Sequence, residues 1–143
     1  MQNERQYPVT VSILTRRFDE NGSGERDSYT YRGRVTEDEQ YTLVYTAGEG
    51  GEAQNTALSF SFAAPARVEL VQSGAVNCRL SFAAGEEMTA LYRIPGVGTI
   101  DVTVTPRTVD NREEENGRRI HLDYDMTVGG VRSRTVMTVT VKK

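Results

Sequence analysis

Tryptophan is absent from this chain, and cysteine and histidine occur once each, as Cys78 and His121. A lone cysteine cannot close an internal disulfide, so the core must hold the fold unaided, as in reduced cytoplasmic proteins. One cysteine with one histidine also falls short of the ligand set of an ordinary zinc site. Lysine is confined to Lys142 and Lys143, and the formal net charge is -3. No positive field therefore exists to gather nucleic-acid phosphates. No apolar run approaches the ~20 residues of a membrane-crossing helix. The opening residues, Met1 to Pro8, include Glu4 and no hydrophobic stretch, which argues against a secretory leader. A helical period of 3.6 is missing over any useful length. What remains is a single cytoplasmic domain spanning 1–143, large enough to bury a core. No cofactor or metal and no nucleic-acid or membrane partner is expected.

What is present is a two-residue rhythm. Ile100, Val102 and Val104 alternate with Asp101, Thr103 and Thr105, and Ile120, Leu122, Tyr124, Met126 and Val128 with Arg119, His121, Asp123, Asp125 and Thr127. Successive strand residues face opposite ways, so each run has one dry and one wet face. The same rhythm marks Pro8–Phe18, the run through Tyr29, Tyr31 and Val35, Gln40–Ala47, and Leu58–Phe62. It continues in a short strand Arg67–Val71, in Val76–Phe82, in Met88–Ile94 and in Val131–Val141. Turn residues separate these runs: Asp19–Gly24, Glu37–Glu39, the flexible Gly48–Asn55, Pro95-Gly96 and Gly129-Gly130. The acidic stretch Asp110–Gly117 is expected to be a solvated loop. About ten short antiparallel strands in one domain must hide their edges, and closure into a barrel hides them best.

No catalytic residue can be assigned. Cys78 shares a face with Val76 and Leu80, and His121 with Arg119 and Asp123, so alternation points the thiol inward and the imidazole outward. A thiol–imidazole pair needs both within hydrogen-bond reach. Asp19–Gly24 has the opening of a calcium loop, but the twelfth position is Thr30 rather than a bidentate Glu, and flanking helices are missing. Glycines at 48–51 and 96–98 precede no helix and no Gly-Lys-Ser/Thr, so they are turn glycines rather than phosphate cradles. Asp123 and Asp125 read as cross-strand partners for arginines.

From about Val9 to Val139 the chain resembles the YwiB-like family of small bacterial β-barrels of unknown function. The resemblance is carried by Val68-Glu-Leu-Val-Gln-Ser-Gly-Ala-Val76, by Phe82, Gly85, Tyr92 and Gly98, and by Gly117 through Tyr124-Asp-Met-Thr-Val-Gly129. It implies an all-β fold, a closed antiparallel lipocalin-like (calycin-type) barrel of about ten strands, and no reaction. Gln72 stands where relatives often have Arg, and the Gly-x-Trp signature of true lipocalins is missing. In such a barrel most of the seven tyrosines and four phenylalanines fall on inward positions. A buried hydroxyl demands a partner, so the tyrosines either line a partly wet interior holding a small amphipathic ligand or lie near the barrel mouths with their hydroxyls in water. The expected lining of such an interior is Tyr31, Tyr45, Phe82, Tyr92, Tyr124 and Met126. The alternative is a filled barrel, monomer or homodimer, that acts as a scaffold through an edge or through the outward Arg32, Arg34, Arg132 and Arg134.

Overall fold

A computed structural model describes residues 4–48 and 52–143. The rhythm of the sequence becomes ten antiparallel strands: β1 (Arg5–Phe18), β2 (Gly24–Glu37), β3 (Gln40–Ala47), β4 (Gln54–Ser61), β5 (Ala64–Gly74), β6 (Cys78–Phe82), β7 (Met88–Ile94), β8 (Gly98–Glu114), β9 (Gly117–Val128) and β10 (Val131–Lys142). They form one sheet in the order β6-β5-β4-β3-β2-β1-β10-β9-β8-β7. The sheet curls until its outer strands meet. Asn77 and Arg93 then exchange backbone hydrogen bonds of 2.8 and 2.9 Å, the single bridge joining the β6 and β7 sides among the described residues. Below that bridge the strands part, and the Ser81 backbone N–H faces the Met88 sulfur at 2.9 Å. The result is the expected all-β barrel, nearly closed, with no α-helix among the described residues.

Turn chemistry sets the register. Gly129 and Gly130, both at positive φ, make the two-residue turn that joins β9 to β10. Asp19 accepts the Asn21 and Ser23 backbone N–H groups on its carboxylate, which makes the calcium-like stretch a hairpin turn. The stretch expected to be an acidic loop is instead a hairpin. β8 runs to Glu114, β9 restarts at Gly117, and Asn116 turns the chain at φ 62°. The carboxylates are tolerated there because arginines lie beside them: Asp110 pairs with Arg112, and Glu114 with Arg119 at 3.5 Å. A Cβ on Gly117 would lie 1.7 Å from the Val141 carbonyl, so only glycine lets β10 approach this turn. β5 is also longer than its sequence rhythm indicated, because pairing with β4 extends it to Gly74. Part of the glycine-rich stretch after Ala47, residues 49–51, lies outside the described residues.

Inward positions from all ten strands fill the middle of the barrel. Val11, Val35, Leu43, Leu58, Phe82, Ile120 and Leu122 are essentially without solvent contact. Each such side chain contributes roughly 1.5–3 kcal/mol of transfer free energy. Two aromatic residues expected inside are half open. Tyr29 is 52% exposed, because β2 reaches beyond the start of its pairing with β3 at Gly33. Phe62, 42% exposed, sits just past the end of β4.

Candidate functional site

The barrel has two ends. The β1–β2, β5–β6, β7–β8 and β9–β10 turns mark the upper one, and the β2–β3, β4–β5 and β8–β9 turns the lower one. At the upper end the inward positions change from aliphatic to polar, strand by strand. Tyr31 on β2 stacks on Tyr45 of β3, with ring centroids 5.3 Å apart and planes 14° from parallel. Tyr29 continues the stack beyond Tyr31, at 6.1 Å and 18°. Tyr45 is opposite Thr56 of β4, and Thr56 opposite Gln72 of β5. The Cys78 thiol of β6 donates to Gln72 Oε1 at 3.4 Å. Tyr92 of β7 reaches Cys78 from the other side, and Tyr124 of β9 stands near enough to Tyr92 to raise its phenol. Tyr124 is opposite Thr135 of β10, and Thr135 opposite Arg17 of β1. Nine of the ten strands thus contribute to a polar collar, β8 alone supplying apolar side chains.

Burial pushes the phenols of Tyr31, Tyr45, Tyr92 and Tyr124 above the ordinary tyrosine range, and neighbouring phenols add to the rise for Tyr31, Tyr45 and Tyr92. They stay neutral at physiological pH and act as hydrogen-bond donors. Arg17 opposes the shift for Tyr92 and Tyr124. Burial likewise raises the Cys78 thiol, despite its Tyr92 and Gln72 contacts. A thiol held protonated is a poor nucleophile. Its distant histidine, His121, faces outward with Nδ1 2.9 Å from Thr138 Oγ1.

All six residues expected to line an interior site point inward, at three depths. Tyr31, Tyr45 and Tyr92 belong to the collar; Phe82 packs beneath Tyr124 at 4.9 Å; Met126 lies partly buried against the core. Thr15, Arg17, Thr56, Gln72 and Thr135 were not foreseen. Their signal was parity: each continues the inward phase of a strand whose neighbouring inward residues are aliphatic.

The outer wall of β8, β9 and β10 carries a charge ladder. The register shifts between Pro106 and Thr108, so Arg107 is the extra residue of a bulge. Its guanidinium grips Asp125 through two bonds of 2.8 and 3.1 Å. Arg132 adds a contact at 3.3 Å, and Arg134 holds Asp123 through bonds of 2.9 and 2.7 Å. These pairs realise the cross-strand reading of the two aspartates. Two of the four arginines proposed as an outward patch are therefore neutralised locally. An open cleft of about 490 Å³ lies above the ladder, lined by Phe18, Glu20, Arg107 and Arg132 among others.

Fold and collar together define a small antiparallel β-barrel with a tyrosine-rich polar mouth over a packed core. The chain belongs to the family described as Domain of unknown function (DUF1934), which matches residues 11–138. Its fold is similar to the crystal structure of the YwiB protein from Bacillus subtilis, with a TM-score of 0.83 over 96% of this chain and 92% of that one. The two are 22% identical, so the likeness speaks to fold alone. No curated protein matches the chain at the level of sequence.

Proposed function

We propose that this protein is a non-enzymatic binding module that takes a small amphipathic molecule at its upper mouth. One observation carries the reading: the near-parallel stack of Tyr29, Tyr31 and Tyr45 beside a run of polar inward side chains broken only at β8. Stacked phenol faces hold a flat or apolar body, and the hydroxyls, Gln72 and Arg17 can donate hydrogen bonds to polar atoms. Because aliphatic side chains fill the middle of the barrel, the ligand sits on the core rather than inside it. A buried protonated thiol supports a reducing, cytoplasmic setting and a binding rather than a thiol-based catalytic role.

The filled middle also favours a second reading, a scaffold acting through its outer wall, for which the open cleft with Phe18, Arg107 and Arg132 offers a surface. Native mass spectrometry of protein purified from its host without denaturation separates the two. The binder retains a mass of small-molecule size, and the double variant Tyr31→Ser, Tyr45→Ala loses it while melting cooperatively. If no mass is retained in repeated preparations, and tyrosine emission (undiluted by tryptophan) ignores added apolar acids, the mouth is not a binding site.

A further inference from the structure

The upper half of β2 is paired on one side only. β1 accompanies β2 from Gly24 to Glu37, whereas β3 pairs with it only from Gly33 to Glu37. Between Gly24 and Arg32 the other side of β2 meets no strand among the described residues. The hairpin turn decides which backbone groups are left over. Asp19 donates its backbone N–H to Ser23 at 2.8 Å, and hydrogen-bonded pairs recur from there at every second residue: Arg17–Glu25, Thr15–Asp27, Ile13–Tyr29 and Val11–Tyr31. The odd residues of β2 thus turn their N–H and C=O groups to β1. Arg26, Ser28, Thr30 and Arg32 turn theirs to the open side, and all four are exposed. A bare edge of this length is a template for another strand.

The residues along that edge suit a copy of themselves. Two β2 edges laid antiparallel about a two-fold axis keep inward residues opposite inward ones, and each contact occurs twice. With the axis at Ser28, the midpoint of the bare stretch, Arg26 meets Thr30, Asp27 meets Tyr29 and Glu25 meets Tyr31. No charge then stands opposite another. Moving the axis to Asp27 sets that aspartate on its own copy, and moving it to Tyr29 sets Arg26 on Arg32. Like charges directly opposite one another destabilise a ladder, so one register is selected. The same register brings Tyr29 diagonally beside its copy, within reach of an aromatic ring. Tyr29, 52% exposed, is the outermost ring of the stack with Tyr31 and Tyr45, so the two stacks meet end to end.

We infer that the upper half of β2 is a dimerisation edge, whose partner is a second copy of this chain paired antiparallel about Ser28, so that one sheet runs through both barrels. The pairing forms about six backbone hydrogen bonds between Arg26 and Thr30 of the two copies. It also covers the exposed faces of both Tyr29 rings. Such an interface is short beside that of a permanent complex, so the dimer forms and parts with concentration. The inference stands apart from any ligand at the upper mouth.

Sedimentation velocity of the full chain from about 5 to 500 μM should show a reversible monomer–dimer equilibrium. Ser28→Pro removes the N–H at the axis, once in each copy, and leaves the ladder to β1 intact, since proline is tolerated on an open edge. That variant should stay monomeric and melt cooperatively. Two outward changes test the register without touching the backbone. Thr30→Glu faces Arg26 of the partner subunit and should tighten the dimer about twofold to tenfold, while Thr30→Arg should loosen it by a similar factor. The amides of Arg26, Ser28 and Thr30 should exchange quickly in dilute solution and slowly at high concentration. An unsubstituted chain that is monomeric throughout overturns the inference. So does a dimer indifferent to Ser28→Pro and to the charge at residue 30, or slow exchange of those amides in the dilute monomer, which would mean that the chain covers its own edge.

Discussion

At the scale of single residues, the charge ladder on β8–β10 links protonation to stability. Burial by itself would raise the Asp125 carboxyl, but the grip of Arg107, with Arg132 behind it, outweighs burial and leaves it below the ordinary range. The Arg134 fork holds Asp123 low, against a smaller desolvation penalty. A carboxyl that is more acidic folded than unfolded stabilises the fold at pH values above its unfolded pKa of ~3.9. The contribution fades as pH falls through the folded value. The melting temperature is therefore expected to be level between about pH 7 and pH 5 and to drop below about pH 4. Asp125→Asn should melt about 4 °C lower at neutral pH and show a shallower acid limb in calorimetry. Parallel limbs for the two proteins would remove the ladder as their cause. The aspartates were legible as arginine partners from alternation alone. Arg107 was not, because a bulge adds one residue and breaks the count by which faces are assigned.

At the scale of elements, strand existence followed from alternation, and departures arose where pairing rather than pattern decides extent. Asp110–Glu114 reads as solvent-loving, yet a neighbouring strand rich in arginine carries it as the end of β8. The seam between β6 and β7 left no mark in the sequence, since alternation reports which face a residue takes and not which strand it meets. Its weakness is open to measurement. Arg93→Pro deletes the N–H that Asn77 accepts while leaving the bonds from β7 to β8 in place. Amide hydrogen exchange should then accelerate through β6 and β7 and stay unchanged in β1 and β10. Leu91→Pro removes an N–H that faces the same seam below the bridge and should have a smaller effect. Equal acceleration from both substitutions would mean that the bridge contributes nothing special to closure.

At the scale of the whole molecule, barrel closure was readable because ten half-polar strands with no helix to cover them leave few other ways to protect an edge. The aromatic lining was readable in part. Parity placed Tyr31, Tyr45, Tyr92 and Tyr124 inside, but depth along the axis depends on strand tilt and on the overhang of β2, and these separated Tyr29 from the core. The polar collar needed the register of nine strands at once.

The nearly bare seam and the well-paired β1–β10 contact have a joint consequence for how the polypeptide can be rewired. The covalent gap lies where the hydrogen-bond ladder is continuous, and the ladder gap lies where the covalent chain is continuous. A circular permutant that links the end of β10 to the start of β1 by about six added residues, and opens between Ala83 and Glu87, would run β7 through β10 and then β1 through β6. Apart from the Asn77–Arg93 bridge, every strand would then pair only with its neighbours in sequence. It should keep the parent's far-ultraviolet circular dichroism and cooperative melting; a molten or aggregated product would show that the β6–β7 connection is needed to fold.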